Sequence, residues 1–298
     1  KGNRWIDMTS GIFVTNAGHS NPYINEAIKN QVDSNLTFAY QYNTDVRNEF
    51  VEKLLEISPS HFDKVVLLNS GSEVTDAAYR LIKTWGKKNN KKYIVVFTGN
   101  YHGHVLGSDL IGGEPDSADC YVKDYEIHSI PFPKNNDELN ILTDIITLGK
   151  GLTSSLPLSA LLSTKEIIDL EPSINLSGSQ AGNALCCAAG LANLDYLTDD
   201  LFQSNLKKKI KLFEKLNKEL EQEEGVEVVN VKGMVSAIIV KDADMGNYVT
   251  ENCVKNGVLT VWTKRESIKL GPPLTISESA IIESMGVIKD FIRSYNAS

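Results

Sequence analysis

The sequence predicts an α/β fold: a mostly parallel central sheet with flanking helices, followed by a smaller C-terminal α+β domain. Three observations carry this expectation. In "KVVLLNSGSEVTDAAYRLIKTWGKK" (64–88) an apolar run breaks at Asn69-Ser70-Gly71 and gives way to helical periodicity, and such alternation implies a parallel sheet. A second buried run, "YIVVF" (93–97), again ends in a glycine turn. Beyond Leu201 the pattern changes to one long charged amphipathic helix and then to short strands.

Taken in order, "NPYINEAIKNQV" (21–32) and "DVRNEFVEKLLEIS" (45–58) carry apolar residues at helical spacing, the second capped by Thr44 or Asp45, with the aromatic stretch "FAYQY" (38–42) between them. Strands follow at 65–68 and 93–97, with a helix from Ser72. "IITL" (145–148), apolar and β-branched before Gly149, reads as a strand buried on both faces, and another strand is expected at 158–162. The helix "NALCCAAGLANLDYL" (183–197) is small and apolar, as if packed tightly against a neighbour. The last part gives a helix over 201–224, strands at 226–231, 235–240, 258–262 and 267–270, and helices near 245–256 and 277–294. The expected division is an N-terminal segment 1–44 contributing to the small domain and the active site, a large domain 45–198 and a small domain 199–298.

At 298 residues, 42% hydrophobic and 23% charged, the chain can bury a large core. Thirty basic against 38 acidic residues leave a formal charge of −8, which argues against nonspecific binding to nucleic acid or an anionic membrane. Lys87, Lys88, Lys91 and Lys92 suit the carboxyl end of a helix. Cys120, Cys186, Cys187 and Cys253 show no CxxC spacing and read as thiols in a reducing compartment. His102 and His104 have no cysteine or carboxylate cluster beside them, so no metal site is expected. Apolar runs are short of a membrane span and no leader precedes Lys1, so a cytoplasmic enzyme is the expectation.

Chemistry gathers at three points of the expected sheet edge. Lys150 stands between two glycines at a strand's carboxyl end, where open α/β sheets put their ligands. On the residues alone it is a phosphate grip, a structural ion pair or an amine held for Schiff-base chemistry, the last helped by burial that favours a neutral amine. "NSGSE" (69–73) places Gly71 and Ser72 where a strand turns into a helix, so their amides form an anion cradle; a plain helix cap by Ser70 or Ser72 fits equally. "GNYHGH" (99–104) presents Tyr101 and His102 at the next strand end, where an aromatic ring can stack on a planar group. "SGSQAGN" (177–183) adds small polar residues ahead of a helix. Cradle, aromatic plate and isolated lysine together suit a planar phosphorylated aldehyde, and pyridoxal 5′-phosphate fits that description.

These residues carry a resemblance. "SGIFVTNAGHSNP", "NSGSEVTDAA", "NYHGH", "DIITLGKGLTSSLPLSALL", "GNALCCAAGLANLDYL" and "IKLGPPLTI" stand in the order in which class III aminotransferases carry their counterparts, and the likeness runs through nearly the whole chain. That group belongs to the fold-type I pyridoxal-phosphate enzymes and includes ornithine, acetylornithine and 4-aminobutyrate aminotransferases. The resemblance implies that Lys150 binds the cofactor as a Schiff base and shuttles the proton, that Gly71 and Ser72 bind its phosphate, and that Tyr101 stacks on its ring with His102 beside it. Ser179 stands where the family has a threonine that reaches the phosphate of the neighbouring subunit, so a homodimer is implied. An amino acid or ω-amino donor and a 2-oxo acid would be the substrates, exchanged by a ping-pong route.

Two departures stand out. Lys269 replaces the arginine that holds the substrate carboxylate in many relatives; it lacks the bidentate fork, and Arg265 and Trp262 are expected to share the task. Between Pro133 and Thr143 only "KNNDELNIL" remains where the family has two further strands, one bearing the aspartate that pairs with the pyridine nitrogen. Neither Asp144, Asp137 nor Glu138 is a good substitute for it. Two rival readings therefore stay open: an aminomutase or racemase of the same fold, and a silent product of an internal deletion.

Overall fold

The structure is a computed structural model describing residues 2–40, 42–112, 126–131, 143–263 and 267–297. In chain order its elements are β1 (Ile6–Asp7), α1 (Pro22–Asp33), α2 (Asp45–Glu56), β2 (Lys64–Leu68), α3 (Gly71–Lys88), β3 (Tyr93–Phe97), α4 (Leu106–Leu110), β4 (Glu126–Ile130), β5 (Ile145–Leu148), β6 (Ser159–Ser163), α5 (Lys165–Ile168), α6 (Ala184–Thr198), α7 (Asp200–Leu220), β7 (Val226–Lys232), β8 (Val235–Val240), α8 (Ala243–Lys255), β9 (Val258–Leu259), β10 (Val261–Thr263), β11 (Ser267–Leu270) and α9 (Glu278–Asn296). Five of the longer helices begin on a side-chain cap, with Thr44, Ser70, Asp199, Asp242 and Ser277 each accepting from an amide in the first turn. No helix among the described residues is long and apolar enough to cross a membrane.

The chain divides into two units, Lys1–Asn25 with Asp195–Ser298, and Glu26–Leu194. In the first, an antiparallel sheet of order β10-β11-β8-β7 lies against α7, α8 and α9, and Ile238, Ile268, Leu270, Ile281, Ile288 and Ile292 are fully buried between them. The amino-terminal residues belong here because β1 pairs in parallel with β9. They then make a turn absent from the sequence reading: Ser10, Gly11, Ile12 and Phe13 all have positive φ (45°, 60°, 64° and 65°). A left-handed turn costs about 1–2 kcal/mol for each non-glycine residue, so other contacts must hold it.

In the second unit β6 is central. It pairs antiparallel with β2 on one side and β5 on the other, so β2 and β5 run the same way. The link 149–158 between β5 and β6 is shorter than a parallel crossover requires, which is why β6 is the antiparallel member. β3 pairs in parallel with β4 as a separate two-stranded sheet. α6 packs as its small residues foretold: a Cβ on Gly190 would lie 2.7 Å from the Phe50 ring, which is itself fully buried.

Two burial expectations are corrected. β5 is only half-buried, with Thr147 exposed, and Tyr93 and Val95 of β3 are each 59% exposed. The cause is shared: among the described residues β5 pairs only with β6, and β3 only with β4. The shortened stretch 134–142, with Asp137 and Glu138, lies outside the described residues, as does Cys120.

Candidate active site

Gly149 ends β5, and Lys150 opens a single 3-10 turn, Lys150–Leu152, with a left-handed φ of 47°. That turn is fixed from beneath. Asn193 of α6, fully buried, donates through Nδ2 to the carbonyls of Gly151 (2.9 Å) and Leu152 (3.1 Å). The sequence reading missed Asn193, although an amide inside the apolar "AGLANL" was the available signal, since buried polar groups are there to be bonded. Lys150 is exposed rather than buried, contrary to expectation. The half-open state of β5 explains it.

Of the two readings of "NSGSE", the helix cap is the one observed, and it leaves room for the other. Ser70 is the cap: its Oγ accepts from the Glu73 amide (3.2 Å), and the Glu73 carboxylate accepts from the Ser70 (2.7 Å) and Asn69 (3.0 Å) amides. This reciprocal box leaves the Gly71 and Ser72 amides, at the positive end of an 18-residue helix, for the cavity that these two residues line. A side chain on Gly149 would put its Cβ 3.1 Å from the Gly71 Cα, so glycine there keeps the cradle open. Gly103, at φ 103°, lets the next loop close over Ser72, whose Oγ a Cβ would meet at 1.9 Å. Tyr101 then sits with its ring centroid 5.7 Å from the Lys150 Nζ. Burial pushes His102 below the usual imidazole range, leaving it neutral at neutral pH.

Lys150, Gly71, Ser72, Tyr101, His102 and Gly149 thus line one cavity of about 280 Å³. An amine, an aromatic plate and two helix amides match the aldehyde, ring and phosphate of pyridoxal phosphate. The ring nitrogen is less well served, because no carboxylate is among the described lining residues. Asp76, farther along α3, is engaged by the Gly107 amide (2.9 Å) and Arg80 (3.2 Å).

The other expected site residues are not in that cavity. Ser179 lies on an exposed turn. Lys269 and Trp262 belong to the other unit, and Arg265 lies outside the described residues. Register separates the first two: Trp262 pairs with Ile268 and Lys269 with Val261, so they occupy opposite faces of the β10–β11 hairpin. The Trp262 ring fills the space above Gly246, where a Cβ would be 2.1 Å away. Trp262 thus lies on the packed face of the hairpin, away from the face of Lys269.

The α/β sheet edge with its lysine, amide cradle and aromatic plate has the form of a pyridoxal-phosphate enzyme. Comparison with known proteins narrows this. The profile of the family described as Aminotransferase class-III matches residues 1–139 and 131–292, and the chain belongs to that family. It is an enzyme of the aminotransferase type, with pyridoxal phosphate as cofactor. An acetylornithine aminotransferase of Clostridium acetobutylicum is 24% identical over 98% of this chain and 92% of its own length, and ornithine aminotransferase 2 of Staphylococcus aureus is 23% identical over 94% and 88%. Among solved structures, adenosylmethionine-8-amino-7-oxononanoate aminotransferase from Methanocaldococcus jannaschii has a TM-score of 0.86 at 24% identity, covering 98% of this chain and 90% of that one. Ornithine aminotransferase from Toxoplasma gondii, described with pyridoxal phosphate partly occupying its active site, also scores 0.86 at 19% identity, covering 99% and 87%.

The profile matches in two pieces whose join, 131–139, overlaps the shortened stretch. The Clostridium protein needs 363 aligned positions against the 298 residues here, so it carries residues with no counterpart in this chain.

Proposed function

We propose that this chain moves an amino group from an amino acid or ω-amino donor to a 2-oxo acid in two half-reactions, with Lys150 as the residue that holds the cofactor and carries the proton. The observation that bears this reading is the Lys150 Nζ over the Tyr101 ring, in the lining of a cavity that Gly71 and Ser72 of the helix start also line. Pyridoxal phosphate supplies an aldehyde carbon and a ring that withdraws electrons when the substrate's Cα–H bond breaks. The Gly71 and Ser72 amides bind its phosphate, and the Tyr101 ring stacks on it. The Lys150 amine takes the proton at its Nζ and returns it. Ser179, exposed on its turn, serves the phosphate of a second protomer, so the working form is a homodimer. Lys269 meets the substrate carboxylate as a single point charge. Three buried free thiols, Cys186, Cys187 and Cys253, support a reducing, cytoplasmic setting.

Donors related to ornithine are the first to try, because relatives bear that name. The aminotransferase names also favour transfer between molecules over the aminomutase or racemase reading. The test is borohydride treatment with pyridoxal phosphate present, followed by peptide mass analysis. The tag is expected on Lys150 and absent from Lys150→Ala, and a tag on another lysine overturns the assignment. Lys269→Ala should raise KM for the donor more than it lowers kcat.

A further inference from the structure

Arg47, near the start of α2, joins two stretches far apart in sequence. Its Nε donates to the Gly182 carbonyl (2.6 Å), its Nη2 to the Ala39 carbonyl (2.8 Å) and its Nη1 to the Tyr42 carbonyl (3.1 Å). All three acceptors are main-chain oxygens, so the guanidinium fixes backbone. Only a rigid fork can aim donors along three directions at once; lysine offers one point. The Gly182 contact depends on a tight turn: Gly182 has φ 61°, and a Cβ there would lie 2.8 Å from Leu67 Cδ1 and 3.4 Å from the Arg47 Nε. Arg47, Tyr40, Ser177, Gly178 and Gly182 line one cavity of about 710 Å³ along β2. Ser179 lies on the same turn, while Phe38, Tyr40 and Tyr42 stand 47%, 44% and 78% exposed.

We propose that Arg47 is a positioning residue: its guanidinium locks the Ser179 turn to the aromatic stretch as one preformed surface, which a second copy of this chain uses to complete its cofactor phosphate site. The inference rests on the reading of Ser179 given above. If it is right, loosening Arg47 and removing the Ser179 hydroxyl break the same contact.

The test is a double-mutant cycle on the pyridoxal phosphate dissociation constant of the full chain. Ser179→Ala is expected to weaken binding about 10–100-fold, as for one charge-assisted hydrogen bond, and Arg47→Lys by about 5–50-fold. The double variant should bind within about twofold of Ser179→Ala, because coupled residues are not additive. Hydrogen exchange should quicken in Arg47→Lys at both carbonyl-bearing stretches and nowhere else. Arg47→Gln, which keeps two donors, replaces it if the lysine variant does not fold. Losses that multiply in the double variant, or exchange that quickens in only one stretch, overturn the inference. Full affinity in Ser179→Ala with quickened exchange in both stretches for Arg47→Lys instead overturns the reading of Ser179, and the proposed role with it.

Discussion

The two units use the same kinds of element, yet two inner strands of one are packed against helices while two strands of the other stay half-open. In the unit of residues 1–25 and 195–298, β8 and β11 carry Ile238, Ile268 and Leu270 at 0% exposure against three long helices. In the unit of residues 26–194, β6 alone matches this, with every residue buried, while β5 and β3 stay half-open. The difference lies in how partners are encoded. β7, β8, β10 and β11 find one another within a few tens of residues, whereas β5 and β3 lie on either side of the place where relatives carry chain that is absent here. An edge without a neighbour leaves backbone groups and apolar side chains in water. The shortened unit is also the one that carries Lys150.

The largest effect should come from removing the difference itself. Inserting the corresponding internal segment of the Clostridium relative between Pro133 and Thr143 is expected to slow hydrogen exchange in β3 and β5 while leaving the other unit unchanged. The half-reaction with an amino donor should quicken by about 10²–10⁴-fold, the range for gaining a positioned proton-holding group. Stopped-flow comparison of both forms over a panel of donors checks it; equal rates would mean that a carboxylate already reaches the ring nitrogen.

Two glycines of the unit of residues 1–25 and 195–298 sharpen the contrast with smaller, opposite effects. Gly246 faces the Trp262 ring, with a Cβ 2.1–2.4 Å from three of its carbons, so Gly246→Val should cost about 1–3 kcal/mol through overpacking. Gly286, exposed within α9, has nothing within 4 Å of a Cβ, so Gly286→Ala should add about 0.5–1 kcal/mol by restricting the unfolded chain. Denaturant midpoints measure both, and the borohydride tag on Lys150 should survive either change. If Gly246→Val left the midpoint unchanged or raised it, the close packing of Trp262 on Gly246 would be in error; a lowered midpoint in Gly286→Ala would overturn the second expectation.

Most elements were legible because their signals are local. The break at Asn69-Ser70-Gly71 and Glu73 three residues after Ser70 mark the start of α3, and the small residues of α6 announce a close neighbour. Much of the Lys150 cavity was legible too, since Lys150, Ser72 and His102 follow strands and each stands beside a glycine. What escaped depends on distant partners. Asn193 gains meaning only when Gly151 and Leu152 lie against it, and Arg47 only when Gly182 reaches it. The exposure of Lys150 goes with a β5 that pairs on one side only among the described residues, which no reading of "IITLGKG" shows.

The smallest predicted effect concerns the left-handed turn at residues 10–13. Gly11 suits a positive φ, but Ser10, Ile12 and Phe13 do not, so contacts must offset the strain. Ser10 Oγ donates to the Gly271 carbonyl (2.5 Å), and Gly271 lacks the Cβ that would meet the Phe13 ring at 2.3 Å. Asp7 supplies the charge: its carboxylate accepts from the Thr9 amide (2.8 Å), the Thr9 hydroxyl (2.7 Å) and the Gly11 amide (3.0 Å), with the His19 Nε2 at 2.8 Å. Burial alone pushes the Asp7 carboxyl up, but the bonds from His19, Thr9 and Gly11 outweigh it and hold the group below the usual aspartate range. A depressed folded value means stabilisation that is present above the unfolded pKa, about 4, and lost as pH falls through the lower folded value. Asp7→Asn should therefore be less stable than the parent at neutral pH, and the gap should shrink to its residual hydrogen-bonding part in strong acid. Denaturant midpoints of both proteins from neutral to acid pH give the difference directly, because groups common to both cancel. A gap that stayed constant into strong acid would show that the turn is held by its neutral contacts, with Ser10 and Gly271 the first of them to change.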